Sequence, residues 1–258
     1  MIRLVFCLRR RPELSLEEFS RTWLDDHGPL VASLRSTLRI ARYVQSHRID
    51  DPAAEQRMSS ARDGVMEAPY DGVAELWWES EAEFAAASAT PEGRAAGKAL
   101  LDDERRFIDL AASPLWLAHE YPQINPAVEV VARPRTGIAK LHFPLRHHAN
   151  LSLEDAQRYW RVQHGPIIRR QAPASGLLRY QQVHRFETPF EAALRSARGT
   201  VADAYTGHAE AWVDLGAGRS GAAAAAASRR AVDDERNFID FARSTMWFGT
   251  EHVIIDWR

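Results

Sequence analysis

Ile2, Leu4, Phe6 and Leu8 alternate with Arg3, Val5, Cys7 and Arg9, the two-residue period of a strand. Residues 140–146 repeat the pattern, with Leu141, Phe143 and Leu145 on the matching face. Ser15-Leu16-Glu17-Glu18 has the form of a capping box, which predicts the start of a helix. Phe19, Trp23 and His27 are spaced four apart and share one stripe of that helix. Gly28-Pro29 is expected to end it, glycine supplying a left-handed cap and proline blocking the next turn. Ser152-Leu153-Glu154-Asp155 and Gly165-Pro166 give the same start and stop again. A short helical turn over 30–38, a strand over about 39–48, a polar loop with Asp50, Asp51, Pro52, Ser59 and Ser60, and a strand over 73–78 follow. Thr90-Pro91 predicts a second long helix reaching residue 111, and 115–121 a fourth strand.

The repeat is the organising feature. Arg21-x-Trp23…His27-Gly28-Pro29 returns as Arg158-x-Trp160…His164-Gly165-Pro166, displaced by 137 residues (27 to 164). Arg42-Tyr43-x-Gln45-x-His47-Arg48 returns as Arg179-Tyr180-x-Gln182-x-His184-Arg185. Tyr70-x-Gly72-x-Ala74-Glu75-x-Trp77 answers to Tyr205-x-Gly207-x-Ala209-Glu210-x-Trp212. Asp102-Asp103-Glu104-Arg105 answers to Asp233-Asp234-Glu235-Arg236. A repeat of this length is a duplicated domain rather than a short-period solenoid. Each copy reads β-α-β-β-α-β, the ferredoxin-like split unit, so an α+β fold is expected. The units are placed at 1–121 and 138–258, with a proline-containing linker at 122–137. A four-stranded sheet with both helices on one face leaves the other face bare, and a second identical unit is its natural cover. The expectation is an intramolecular pseudo-dimeric α+β barrel.

Composition narrows the function classes. Of 258 residues, 45% are hydrophobic and 26% charged, ordinary for a globular chain. A net charge of -2 gives no electrostatic reason to expect nucleic acid or an anionic membrane as partner. One cysteine, Cys7, excludes an internal disulfide framework and a multi-cysteine metal site. With no transmembrane run and an opening apolar stretch too short for a signal peptide, a cytoplasmic protein is expected. There is no glycine-rich phosphate loop and no His-Glu-x-x-His or matched Cys/His spacing, so neither a cofactor nor a metal is expected.

His27 and His164 are the leading candidates for chemistry. At a predicted helix C-terminus the dipole favours imidazolium, a proton donor; alternatively each orders its Gly-Pro turn through a backbone carbonyl. Tyr43, Gln45 and His47 alternate onto one side of their strand, as do Tyr180, Gln182 and His184, a choice foreign to an apolar core. Glu75 and Trp77 share a face of the next strand, as do Glu210 and Trp212. Carboxylate, imidazole and phenol are expected to converge there, in a wet cavity or in a polar network between the units. Asp-Asp-Glu-Arg reads as a solvated helix face, His147-His148 as a surface pair, and the alanine run 222–227 as helix filler. Arg9 and Arg146, at matched strand ends, either hold an anion or face water.

Trp23-x-x-x-His27-Gly28-Pro29, the Leu-x-Phe-x-Leu-Arg strand and the Asp-Glu-x-x-Phe-Ile-Asp helix resemble the EthD family of dimeric α+β-barrel proteins, over nearly the whole chain twice. The resemblance implies small-molecule metabolism. Some fungal relatives look like dehydratases or cyclases, and related barrels include lactone isomerases with a histidine after the first helix and a tyrosine on the next strand. Those positions here are His27 with Tyr43 and His164 with Tyr180. The expected function is proton transfer on a cyclic or aromatic carbonyl-bearing metabolite. His27, Tyr43, Glu75, His164, Tyr180 and Glu210 would carry the chemistry. Trp23, Gln45, His47, Trp77, Trp160, Gln182, His184 and Trp212 would bind the ligand. The alternatives are a non-catalytic metabolite-binding accessory of an oxygenase, and an EthD-type oxidoreductase using haem or oxygen alone. The small-molecule ligand is the expected partner, with the chain a monomeric pseudo-dimer or a homodimer.

Overall fold

The computed structural model describes residues 1–217 and 221–257. The first half runs β1 (Ile2–Leu8), α1 (Leu16–Arg21), a π-helical turn (Thr22–His27), α2 (Gly28–Ser33), α3 (Arg35–Leu38) and β2 (Arg42–Arg48). It continues through α4 (Pro52–Ser60), β3 (Gly72–Trp78), α5 (Glu81–Ala89), α6 (Pro91–Glu104) and β4 (Leu115–Ile124). The second half runs β5 (Ile138–His147), α7 (Leu153–Tyr159), a π-helical turn (Trp160–His164), α8 (Gly165–Ser175) and β6 (Leu177–Arg185). It ends with α9 (Pro189–Arg198), β7 (Gly207–Asp214), α10 (Ala222–Glu235), β8 (Ile239–Asp240), a 3-10 turn (Phe241–Arg243) and β9 (Trp247–Ile255).

The strands follow the order β7-β6-β4-β1-β3-β2-β9-β5, and β7 pairs with β5 to close the ring. The fold is α+β, built on an eight-strand antiparallel barrel, with β8 a two-residue addition beside β5. Closure depends on an exchange between the halves: β4 pairs with β6 and β9 pairs with β2. Each half thereby covers the sheet edge the other would leave with unpaired backbone groups. Period-two alternation then sorts the side chains. Leu4, Phe6 and Leu8 point outward and pack with Phe19, Trp23 and Phe107 beneath the helices. Val5, Cys7 and Val73 point inward and meet Trp116 and Trp247. Phe143, Leu145, Trp160 and Phe238 form the matching outer core of the second half.

The capping signals operate as read. Ser15 Oγ accepts from the Glu18 amide while the Glu18 carboxylate accepts from the Ser15 amide, and Ser152 caps Asp155. Four sequence expectations need correction. Gly28-Pro29 and Gly165-Pro166 do not end their helices; the chain passes through the π-helical turn straight into α2 and α8. The segment 49–69 is not all loop: Asp51 caps α4 and Pro52 opens it, and Thr188 with Pro189 does the same for α9. The helix from Thr90 stops at Glu104 instead of 111, because Phe107 and Ile108 turn away to be buried, Ile108 bridging to Arg10. β4 also runs to Ile124, past the expected end at 121, which its pairing with β6 requires. Among the described residues no helix is long and apolar enough to cross a membrane.

β3 and β7 each open on a glycine pressed against the tryptophan of a π-helical turn. A Cβ on Gly72 would lie 2.4 Å from the Trp23 ring and 2.8 Å from the Ser46 carbonyl oxygen. On Gly207 it would lie 2.4 Å from the Val183 carbonyl oxygen and 2.7 Å from Trp160. Backbone stands in the way at both sites, so G72A and G207A should each lower unfolding free energy by about 1–3 kcal/mol. Urea titration checks this, and unchanged midpoints would refute the close packing.

Candidate functional site

The π-helical turns are built by one side-chain lock, present in both halves. Pro29 has no N–H to donate, and its ring would collide with the carbonyl four residues back in a regular α-helix. The helix widens instead, and the Gly28 amide reaches the Trp23 carbonyl, five residues away. Gln45 on β2 donates to that carbonyl (2.8 Å) and to the Tyr43 hydroxyl (3.0 Å), and accepts from His47 Nε2 (3.0 Å). Trp23 Nε1 donates to the same hydroxyl at 3.0 Å, and the His47 ring stacks on Trp23. Gly28 is glycine because a Cβ there would stand 3.2 Å from the Gln45 amide nitrogen. Trp160, Tyr180, Gln182 and His184 reproduce the set, with Trp160 Nε1 3.1 Å from the Tyr180 hydroxyl. Burial pushes the His47 and His184 imidazoles down to about 3, so both stay neutral. Neither they nor Gln45 and Gln182 are among the residues lining the two cavities beside these turns; they hold the turn against the strand.

Two cavities lie between the outer sheet face and the helices. The one in the first half holds about 330 Å³ and is lined by Trp23, His27, Tyr43, Leu4, Phe6 and α6 residues. Its counterpart holds about 480 Å³ and is lined by Trp160, His164, Tyr180, Leu141, Phe143 and α10 residues. Each histidine is oriented by a carboxylate rather than by a helix end. His27 Nδ1 lies 2.8 Å from Asp103 Oδ2, and His164 Nδ1 2.7 Å from Asp234 Oδ2. The hydrogen bond from His27 holds Asp103 below the usual range. Burial works against the charge of Asp234, but bonds from His164 and Tyr159 hold it low as well. An ionised carboxylate accepts only, so in the neutral imidazole it selects the tautomer with the hydrogen on Nδ1 and the lone pair on Nε2. The tyrosine hydroxyls each accept from indole and amide, which leaves their own hydrogen to give. Burial pushes the Tyr180 phenol up to about 12 and Tyr43 higher, so both are neutral donors.

Glu75, Glu210, Trp77 and Trp212 are elsewhere. In the register of β2 with β3, Tyr43 stands opposite Leu76 while Glu75 stands opposite Val44. Tyr43 and Glu75 therefore occupy opposite faces of one sheet, and the expected convergence of phenol, imidazole and carboxylate does not occur. Glu75 and Glu210 point into the barrel, where they meet Arg3 and Lys140: Arg3 lies 2.7 Å from Glu75, and Lys140 lies 2.6 Å from Glu75 and 3.0 Å from Glu210. Trp77 Nε1 bonds Glu120 at 2.9 Å, and Trp212 Nε1 bonds Glu251 at 2.7 Å. His142 and His208 complete this interior, 2.9 Å apart. One donor atom each from Glu75, His142, His208 and Glu210 fall within 4.8 Å of one another, a spacing a metal ion could use. Arg3 and Lys140 already engage both carboxylates there and would repel a further cation.

The interior holds more carboxylates than cations, and burial pushes the Glu75 carboxyl up to about 8, with Arg3 opposing and Glu210 adding to the shift. Burial also disfavours the Glu210 charge, yet Arg3 and Lys140 hold it well below the carboxylate range. A carboxyl with a folded value above its unfolded one binds its proton more tightly when folded. Its contribution is complete below about 4.5 and is lost as pH rises through about 8. Unfolding free energy should therefore decline across that window, by up to ~1.4 kcal/mol per pH unit. E75Q should flatten the decline. Urea unfolding at several pH values measures it, and an equal slope in both proteins would refute a protonated Glu75.

Sequence reasoning missed the carboxylates that matter to the cavities. Asp103 and Asp234 orient the histidines, and their neighbours Glu104 and Glu235 are buried. Glu104 accepts two bonds from Arg198 (2.8 and 2.7 Å), and Glu235 two from Arg62 (2.8 and 2.9 Å). Arg198 is the last residue of α9 in the second half yet lines the first cavity; Arg62 follows α4 of the first half yet lines the second. The recurrence of Asp-Asp-Glu-Arg in both copies was the available signal. The alanine run is also more than filler, since Ala224, Ala225 and Ala227 form a cavity wall.

No curated protein matches the chain. Among solved structures, one from Fusobacterium nucleatum subsp. nucleatum, provisionally assigned as a monooxygenase, is similar over 98% of this chain and 92% of its own, at 7% identity and a TM-score of 0.51. Another with the same provisional assignment, from Lactobacillus acidophilus NCFM, covers 97% and 93%, at 6% identity and a TM-score of 0.45. At such identity the first likeness speaks to fold alone. The EthD domain family model matches residues 11–111 and again 148–242, and the chain belongs to the EthD family through two copies of its domain.

Proposed function

We propose that this chain is a small-molecule enzyme that moves protons on cyclic or aromatic carbonyl-bearing metabolites, without a nucleotide cofactor. One observation carries the reading: in each half a carboxylate-oriented histidine borders an apolar cavity, and its Nε2 makes no hydrogen bond with a described residue. In such a cavity His27 or His164 takes a proton from carbon alpha to the carbonyl through Nε2. Tyr43 or Tyr180 donates its remaining hydrogen to the oxyanion that develops. The imidazolium, stabilised by Asp103 or Asp234, returns the proton to a different atom, or to a leaving hydroxyl. Isomerisation and dehydration are the two outcomes, and addition of the enolate to a second carbonyl gives cyclisation. Trp23 and Trp160 contribute indole surface beside the reacting group.

Each half is read as a ferredoxin-like β-α-β-β-α-β unit, 1–121 and 138–258 joined by 122–137. The orders β4-β1-β3-β2 and β9-β5-β7-β6 within the barrel support this. The pseudo-dimer is taken to act as a monomer in the cytoplasm on a diffusible ligand.

The test uses hydrogen–deuterium exchange alpha to the carbonyl of 2-tetralone in D2O, followed by proton NMR. Wild type should accelerate exchange over buffer. H27Q/H164Q should reduce the acceleration by about 10²–10⁴ fold with the circular dichroism spectrum unchanged. D103N/D234N should lose a similar factor, because an amide can hold the wrong tautomer. Full exchange in H27Q/H164Q would overturn the proposal, and binding of ketone without any exchange would replace it with metabolite carriage.

A further inference from the structure

The two cavities share their chemical end and differ in their walls. His27, Tyr43 and Glu104 answer to His164, Tyr180 and Glu235, and the sheet floor of Leu4 and Phe6 answers to Leu141 and Phe143. α6 and α10 are both fourteen residues long and align end to end, which sets Leu100 opposite Ala231. β3 and β7 align on Gly72 and Gly207, which sets Leu76 opposite Ala211 and Trp78 opposite Val213. At all three positions the second half has the smaller side chain, and its cavity is larger by nearly half, about 480 against 330 Å³.

We infer that the second-half cavity is the binding site for planar fused-ring ketones, and that Leu76, Trp78 and Leu100 restrict the first to single-ring ketones. This rests on the proton-transfer reading for the polar end, since the shared His–Asp pair and tyrosine are what make a carbonyl the common ligand group. The walls at these positions are apolar, Trp78 and Ala211 buried and Leu76, Leu100 and Ala231 partly buried, so exclusion works by volume: a ring has no space to enter beside a leucine that occupies it. Two cavities with one chemistry and two sizes also give the duplication a purpose that two identical sites would not.

Binding of 9-fluorenone to the full-length protein tests this, by equilibrium dialysis for stoichiometry and tryptophan quenching for affinity. Wild type should bind one equivalent. A211L/A231L should weaken binding at least tenfold, and L76A/L100A should raise the stoichiometry to two. Because opening the first cavity adds binding, a folding defect cannot mimic that result. Two equal equivalents in wild type, undiminished affinity in A211L/A231L, or no fluorenone bound by the folded wild type would each overturn the inference. H27Q/H164Q separates the two readings. Lost exchange of 2-tetralone with retained single-site fluorenone binding supports both. Retained exchange sinks the proton-transfer reading and leaves the size division standing.

Discussion

Everything in this molecule follows from closing one sheet into a ring. Eight strands can close only because β4 and β9, each paired within its own half, also pair with a strand of the other. Once closed, the sheet buries most of both faces, the inner one as core and the outer one largely beneath helices, with His119 on β4 left exposed. A polar side chain buried on a strand must then find a partner inside the protein or cost several kcal/mol. Strand polarity is therefore a map of internal networks, and alternation decides which network a residue joins.

Two networks result, one on each face, and they do different things. The inward set of Arg3, Lys140, Glu75 and Glu210 connects strands that are not neighbours, Arg3 of β1 bonding to Glu210 of β7 across the ring. It joins the halves and fixes their register, because a buried cation displaced from its carboxylate is left uncompensated. The outward set of Trp23, Tyr43, Gln45 and His47 ties a widened helix to a strand. Widening the helix rather than ending it keeps His27 on a continuous helical path, next to a cavity and within reach of Asp103 on α6. A helix that stopped at Gly28 would leave the ring exposed at a chain end.

The duplicated pattern makes the strands, the capped first helices and the barrel legible in the sequence. Period-two alternation even placed Tyr43, Gln45 and His47 together correctly. It failed for Glu75 because alternation says which residues share a face within one strand, and only pairing register says which face joins which across two. It failed at Gly28-Pro29 because the local rule for proline was sound but its resolution, a π-helical turn stabilised by Gln45, draws on a residue seventeen positions away. Asp103 and Glu104 looked solvated for the same reason. Their partners, His27 and Arg198, lie on other elements and, for Arg198, in the other half.

Fusion of the halves changes what the barrel interior can hold. In a symmetric dimer a residue near the axis faces its own copy, so any cation there meets an equal cation. In one chain the matched positions are free to differ. Arg3 on β1 faces Lys140 on β5, a long planar guanidinium against a compact ammonium, and the pair spans four carboxylates that two identical groups would serve less well. His142 and His208 occupy the places that Val5 and Val73 fill in the first half, so one side of the interior is polar and the other greasy. The imidazole pair finds Ser46, from the opposite half, as its outer partner at 2.6 Å. A symmetric barrel would have to bury that pair twice and find two such partners. The same freedom acts on the outer face, where the walls of the two cavities have separated while the histidines, tyrosines and carboxylates beneath them have stayed matched. What symmetry would forbid inside the ring and what it would forbid outside are thus released by one covalent connection.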